Sequence, residues 1–566
     1  HRRLSILDIS SNANQPMISN DGNLVIVFNG EIYNFQEIRK KLESKYKFKT
    51  DHSDTETILY AYKEWGIECI HKFNGFFAFA IYDRLKQEVF LVRDRLGKKP
   101  LYFIQKENNI LFSSEIHAFF KADVIKKELN EEAIYHYLTF LTVNTPQTFF
   151  KNVFKLEAGH YLKISPNNIE KIKYWDIADF INKEAKDDFQ TAVITTEEKL
   201  AQSMFYRNIA DVDISVALSG GLDSSLNLYY SNMLNKNIKA INIAYEKTSK
   251  YDESVVAKKF ADECKVDFIG QNVTDKYFED LINEFIKIQL DSPMGDINSI
   301  LVYLLSKISI LNGCKVMLVG EGGDEIGGYP IYQIIQNEYR ILKKLNKINS
   351  LFNYLPEKIA NKLSVFYNSQ VISRRHIHGF TEYEKNNFWL GTKFNSYQIL
   401  AKYMDEVRDD LRDSFLRKIL NIEYKLRLPE LILTRIDYPS MATSVEARSP
   451  FMDHELIGYS AGLSFDIKMR SGAKSILKEI SKNKLPDYTL NHPKVGFGML
   501  LTPFLQNTMP IWFRNELIEK TNELHNFISK EYLDKLLQKH NIDKNQGYKM
   551  WILYALSKWL KGNFDA

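Results

Sequence analysis

The feature that most constrains the fold is a short apolar run, Asp213-Ile214-Ser215-Val216-Ala217-Leu218, that passes directly into Ser219-Gly220-Gly221-Leu222-Asp223-Ser224-Ser225 and a helical pattern. A buried strand delivering two glycines and three hydroxyls to a helix start builds a seat for an anion. The glycines let the backbone come close, and the helix start offers free N–H groups at the positive end of its dipole. A carboxylate, Asp223, inside such a loop makes sense where Mg2+ bridges it to phosphate oxygens. The loop is no Walker sequence, because no Gly-Lys-Ser/Thr follows, and its glycines do not fall as GxGxxG. The bland alternative is an ordinary Gly/Ser turn. Its position at a strand's carboxyl end, where ligands of α/β sheets sit, favours the anion seat.

Residues 239–244 and 315–319 read as two more strands, with helical patterns between them, giving the alternation of a parallel sheet covered on both faces. The third strand leads into Val319-Gly320-Glu321-Gly322-Gly323-Asp324-Glu325. Three carboxylates so close repel one another without a cation, unless the segment is a solvated acidic turn. Lys494-Val495-Gly496-Phe497-Gly498 adds a lysine before a glycine-framed aromatic. Beyond Tyr332 the pattern is predominantly helical.

The first 170 or so residues follow a different grammar. Residues 24–28 read as a strand ending in an Asn29-Gly30 turn, residues 75–83 as a buried strand, and residues 89–94 and 101–104 as strands flanking a turn at 96–100. Two helical patterns lie between Phe35 and Trp65. This is a mixed α+β layer domain, and the weak, charged stretch 176–188 sets the boundary, giving domains 1–176 and 177–566. With 45% hydrophobic and 26% charged residues and a net charge of +4, the composition gives no support to a nucleic-acid or membrane partner. One basic cluster, Arg374-Arg375-His376-Ile377-His378, reads as a solvated face. Three scattered cysteines, Cys69, Cys264 and Cys314, argue against a zinc site and for free thiols in a cytoplasmic setting.

Taken together these segments resemble the glutamine-dependent asparagine synthetases. Residues 219–225 look like the pyrophosphate loop of ATP-pyrophosphatases, residues 320–325 like the family's GEGxDE segment, and residues 444–454 (SVEARSPFMDH) like its S-x-E-x-R-x-P-F-x-D-H segment. His1-Arg2-Arg3-Leu4-Ser5-Ile6, Asn29-Gly30-Glu31-Ile32-Tyr33-Asn34, Ser53-Asp54-Thr55-Glu56 and Arg93-Asp94-Arg95 resemble the glutaminase domain. The resemblance implies an α+β N-terminal nucleophile sandwich (a class II glutamine amidotransferase domain), then an α/β ATP-pyrophosphatase domain with a parallel sheet and a helical C-terminal part. It also implies ATP-dependent amidation of aspartate through β-aspartyl-AMP, with ATP, Mg2+, aspartate, and glutamine or ammonia as ligands, and suggests a homodimer.

By motif, the resemblance assigns Arg3, with Leu4, Ser5, Ile6 and Leu7 beside it, to the glutamine α-carboxylate. It assigns Glu31 and Asp54 to the glutamine amino group, and Asn29 with the Gly30 N–H to an oxyanion hole. Leu218, Ile243, Val319 and Gly320 are implied around the nucleotide, and Ser219, Gly220, Gly221, Ser224 and Ser225 around pyrophosphate. Asp223 and Asp324 are implied on Mg2+, and Glu321 and Lys494 in the chemistry. The family's nucleophile is a cysteine at the mature N-terminus, upstream of the segment that His1 matches, so the expectation is a chain lacking that segment and dependent on ammonia. Cys69 reads as a buried structural thiol. Two departures stand out: Asp324-Glu325-Ile326-Gly327-Gly328-Tyr329 lacks the aromatic before its glycines, and Asp291-Ser292-Pro293 stands where many relatives have Asp-Glu-Pro. Another carboxylate acceptor such as a sugar uronate, or a non-catalytic relative, are the alternatives.

Overall fold

The computed structural model describes residues 1–106, 109–235, 237–245, 253–345, 376–492, 498 and 501–564. Its strands are β1 (Met17–Ile18), β2 (Leu24–Ile32), β3 (Gly75–Asp83), β4 (Glu88–Arg93), β5 (Tyr102–Lys106), β6 (Asn109–Ser113), β7 (Phe154–Lys155), β8 (His160–Ser165) and β9 (Asn168–Lys173). They continue as β10 (Ile214–Ala217), β11 (Lys239–Tyr245), β12 (Asp267–Val273), β13 (Val316–Leu318) and β14 (Glu446–Arg448).

The N-terminal half is layered. β1-β2-β3-β4-β8-β9 form one antiparallel sheet and β6-β5-β7 a second. Side chains alternate across a strand, so Phe77, Phe79 and Ile81 of β3 pack with the helices Phe35–Leu42 and Asp54–Trp65, whereas Ala78 and Ala80 pack on the opposite face with Leu91, Leu101, Leu156 and Leu162. Burial on both faces explains the unbroken apolar run at 75–83. Asn29-Gly30 forms no turn. β2 continues through it to Ile32, with Asn29 opposite Ala78 and Gly30 opposite Phe77. Gly30 serves close strand approach instead: at φ +137°, an added Cβ would lie 2.1 Å from the Phe76 carbonyl oxygen.

The second half holds a parallel sheet in the order β12-β11-β10-β13-β14. Its strands alternate in the same way: Ile214, Val216, Ala240 and Leu318 face one core, and Ile241, Ile243 and Met317 the other. Among the described residues helices dominate from Pro330 on, apart from the three residues of β14. The two halves are joined by buried ion pairs. Lys155 meets Glu430 at 2.7 Å and Lys99 meets Asp437 at 3.0 Å, and Asn74 donates across to Asp453, a carboxylate that Arg207 of the same half as Asp453 meets at 2.6 Å. Among the described residues no helix is long and apolar enough to cross a membrane.

The basic cluster is not a solvated face where it is described. His376 is buried with Nε2 3.2 Å from Glu423, and the Nε2 of His378 is sealed from solvent; burial, then Arg427, pushes the His378 imidazole down to about 3. Arg374 and Arg375 lie outside the described residues. Asp291 anchors a neighbouring segment. Its carboxylate, pushed up to about 6 by burial, accepts the N–H groups of Ile116 and His117 at 2.9 and 3.0 Å.

Candidate functional site

The carboxyl ends of β10 and β13, neighbours in the sheet, bring the two glycine-rich loops together. Gly220 takes φ +82°, and the helix Leu222–Leu234 starts behind Gly221, with Asp223 in its first turn. The hydroxyls fold the loop on itself: Ser219 Oγ lies 3.0 Å from Ser224 Oγ and accepts the Gly221 N–H at 3.2 Å, and Ser224 Oγ donates to the Gly221 carbonyl at 3.1 Å. Ser225 Oγ is buried with no partner among the described residues. Asn242 and Asn227 tie down the strand ends, donating to the carbonyls of Leu218 at 2.7 Å and Val319 at 2.9 Å. Leu218, Ile243 and Val319 are buried.

The acidic loop approaches the first loop closely through its glycines. A Cβ on Gly323 would fall 2.6 Å from Asp223 Cγ, and one on Gly320 would fall 3.2 Å from Asp223 Cβ. Between the loops stands a residue that local sequence reading misses, Lys474, whose ammonium contacts Asp223 and lies 2.7 Å from Asp324 Oδ1. Burial alone lowers a lysine; here the two carboxylates outweigh it and hold Lys474 above its ordinary range. Asp223 Oδ1 stays buried without a hydrogen-bond partner among the described residues. An unpartnered buried carboxylate oxygen beside a second carboxylate suits a hard cation such as Mg2+. Gly327 and Gly328 let the Lys474 segment close in, their carbonyls accepting its N–H at 2.9 and 3.2 Å, and Tyr329 packs half-buried behind them. The missing aromatic is thus accommodated by a short helix, Gly323–Gly327, ending in two glycines.

Glu321 is partly exposed. Its carboxylate lies 3.8 Å from Arg435 Nη2, and its backbone carbonyl accepts a hydrogen bond from Ser449 Oγ. Arg435 is fixed by Asp296 at 2.8 Å. Lys494 lies outside the described residues.

In the N-terminal half, Glu31 on β2 and Asp54 at the start of the helix Asp54–Trp65 are both buried. Asp54 accepts the Ile32 N–H at 3.0 Å. Burial, then the charges of Asp54 and Glu446, pushes Glu31 well up, and burial brings Asp54 to about 6. Side by side and buried, the two carboxyls resist full ionisation together. Asn29 and Gly30 are half-buried just before Glu31. Arg3 is turned to its own loop, donating to the carbonyls of Leu7, Asp8 and Ser10 at 2.7, 2.6 and 3.1 Å, and Leu4 and Ser5 are half-buried while Ile6 and Leu7 are core residues. Cys69 is buried, and burial raises its thiol far above the ordinary range; Cys264 is pushed up to about 11. Neither is activated for attack.

A glycine- and serine-rich loop of the anion-binding kind faces an acidic loop, behind a layered α+β domain, and the family matches identify the arrangement as that of an amidating ligase. Residues 1–175 match the glutamine amidotransferase domain and residues 195–561 match asparagine synthase, and the chain belongs to the asparagine synthase family. Asparagine synthetase (glutamine-hydrolyzing) 1 of Bacillus subtilis (strain 168) is 29% identical over 100% of this chain and 89% of its own length. Asparagine synthetase (glutamine-hydrolyzing) 3 of the same organism is 26% identical over 95% and 86%. Amidase chry2 of Gibberella zeae is 27% identical over 88% and 80%. The expectation that the nucleophile-bearing segment is missing finds no support here, because the match finds the amidotransferase domain present.

Proposed function

We propose that this chain amidates aspartate to asparagine with ammonia, the nitrogen that glutamine supplies in the intact family member, and activates the aspartate β-carboxylate as β-aspartyl-AMP. The observation that carries this reading is Lys474 set between Asp223 and Asp324 where the two glycine-rich loops meet. In this reading Ser219, Gly220, Gly221, Ser224 and Ser225 hold the pyrophosphate of ATP, and Leu218, Ile243, Val319 and Gly320 flank its nucleoside. Asp223 and Asp324 would hold Mg2+, which supplies charge neutralisation when bound. Lys474 offers a fixed positive charge to the departing pyrophosphate, as does Lys494 from its loop. Glu321 assists formation of the acyl-adenylate or takes a proton from the attacking ammonia.

In the amidotransferase domain, Glu31 and Asp54 receive the α-ammonium of glutamine, whose charge offsets their mutual repulsion. Arg3 takes the α-carboxylate as its guanidinium exchanges a loop carbonyl for the ligand. Asn29 and the Gly30 N–H stabilise the oxyanion of amide cleavage. We place the domain boundary after residue 176. Glu321→Gln is expected to retain ATP binding and to abolish amide formation; unchanged turnover removes Glu321 from the mechanism.

A further inference from the structure

The two half-sites are joined by one short strand. β14 lies at the edge of the parallel sheet, beside β13, and its last residue is Arg448. The Arg448 side chain reaches into the amidotransferase half. Nε donates to Glu446 at 2.7 Å, Nη1 to the carbonyls of Arg207 and Ile209 at 3.1 and 2.7 Å, and the guanidinium stacks 5.1 Å from the ring of Tyr33. Nη2 has no hydrogen-bond partner among the described residues and points to Glu31 Oε1 at 3.8 Å. The backbone of the same residue faces the other way, its carbonyl accepting the Val319 N–H at 2.9 Å. The next residue, Ser449, donates its hydroxyl to the carbonyl of Glu321. Side chain and backbone of one residue thus touch the seat for the glutamine ammonium and the loop that carries Glu321.

We propose that Arg448 is a positioning residue that couples occupancy of the glutamine site to the geometry of Glu321. The coupling rests on the roles proposed for Glu31, Asp54 and Glu321. Without glutamine, the Glu31–Asp54 pair keeps a proton, because two buried carboxylates side by side resist full ionisation. An entering α-ammonium displaces that proton to solvent and leaves both groups charged around it. The open Nη2 of Arg448 then gains a fully charged partner and closes on Glu31. That draws β14 onto the amidotransferase half, and the Arg448 carbonyl and Ser449 hydroxyl hold the 319–321 loop in one arrangement. The link runs through contiguous groups, of which Glu31, Arg448, Ser449 and Val319 are buried.

The test measures pyrophosphate release from Mg-ATP and aspartate at saturating ammonium, with and without L-glutamine. Ammonia supply is then not limiting, and any response to glutamine reports coupling. Wild type is expected to accelerate about fivefold on adding glutamine. In Arg448→Lys and in Ser449→Ala the ratio is expected to fall to one, with glutamine binding by calorimetry retained in Ser449→Ala. A wild-type ratio of one, with or without bound glutamine, overturns the inference, as does a wild-type response preserved in both variants. If Arg448→Lys fails to fold, Ser449→Ala decides alone. Absence of pyrophosphate release from wild type under every condition overturns the functional reading itself, and the inference with it.

Discussion

Substituting alanine for Gly323 isolates the contact between the two loops. The added methyl would lie 2.6 Å from Asp223 Cγ and 2.7 Å from its Oδ1, whereas ordinary contact begins at 3.4 Å, so the Asp223 carboxylate or the loop must shift by about 0.8 Å. The fold itself loses little. Overpacking costs about 1–3 kcal/mol, and replacing glycine within the short helix Gly323–Gly327 returns up to about 1 kcal/mol. Catalysis is far more sensitive, since a displacement of about 1 Å in a positioned group costs on the order of 100-fold in rate, or about 2.7 kcal/mol. The assay is pyrophosphate release from Mg-ATP and aspartate, alongside thermal unfolding. Gly562→Ala serves as the control, because nothing lies within 4 Å of its added methyl. Gly323→Ala is expected to lose about 100-fold in rate while Gly562→Ala keeps wild-type activity. A Gly323→Ala enzyme within about threefold of wild type would refute the placement of Asp223 at the reacting phosphates.

Lys474→Met is expected to lower pyrophosphate release by on the order of 100-fold or more, as for other groups that stabilise developing charge, and steady-state kinetics would show it. Asp54→Asn removes a carboxyl whose folded pKa is raised from 3.8 to about 6. The native state therefore keeps a proton that the unfolded chain has lost across that interval, so wild-type stability falls as pH rises through it. The variant is expected to be more stable than wild type by about 1–3 kcal/mol at pH 8, to converge with it below pH 4, and to lose glutamine binding; chemical denaturation at both pH values, with calorimetry, checks this. Cys69→Ala is expected to leave asparagine formation from ammonium unchanged, and Cys69 in the native protein to resist alkylation at pH 8; mass spectrometry of labelled protein reads the second point.

The parallel sheet and its two loops were legible because each is local: a buried strand, glycines at its end, a helix behind them. The strand at 75–83 was legible for the same reason, its apolar run reporting two covered faces. Asn29-Gly30 misled because the pair carries a strong turn preference, which nine residues of antiparallel pairing with β3 override. β14 escaped notice because Glu446-Ala447-Arg448 has no apolar pattern; its charges are buried only because partners from distant segments, Lys99 and Glu31 among them, meet them. Lys474 was invisible for a related reason, lying 251 residues from Asp223 in the chain. His376 and His378 read as surface because only the fold supplies Glu423 and the surrounding core. Lys494 remains an assignment by resemblance.

The most direct test of the central claim is product analysis of the protein incubated with Mg-ATP, aspartate and ammonium. AMP, pyrophosphate and asparagine are expected in equal amounts. Formation of ADP and phosphate, or pyrophosphate release without asparagine, would contradict the claim.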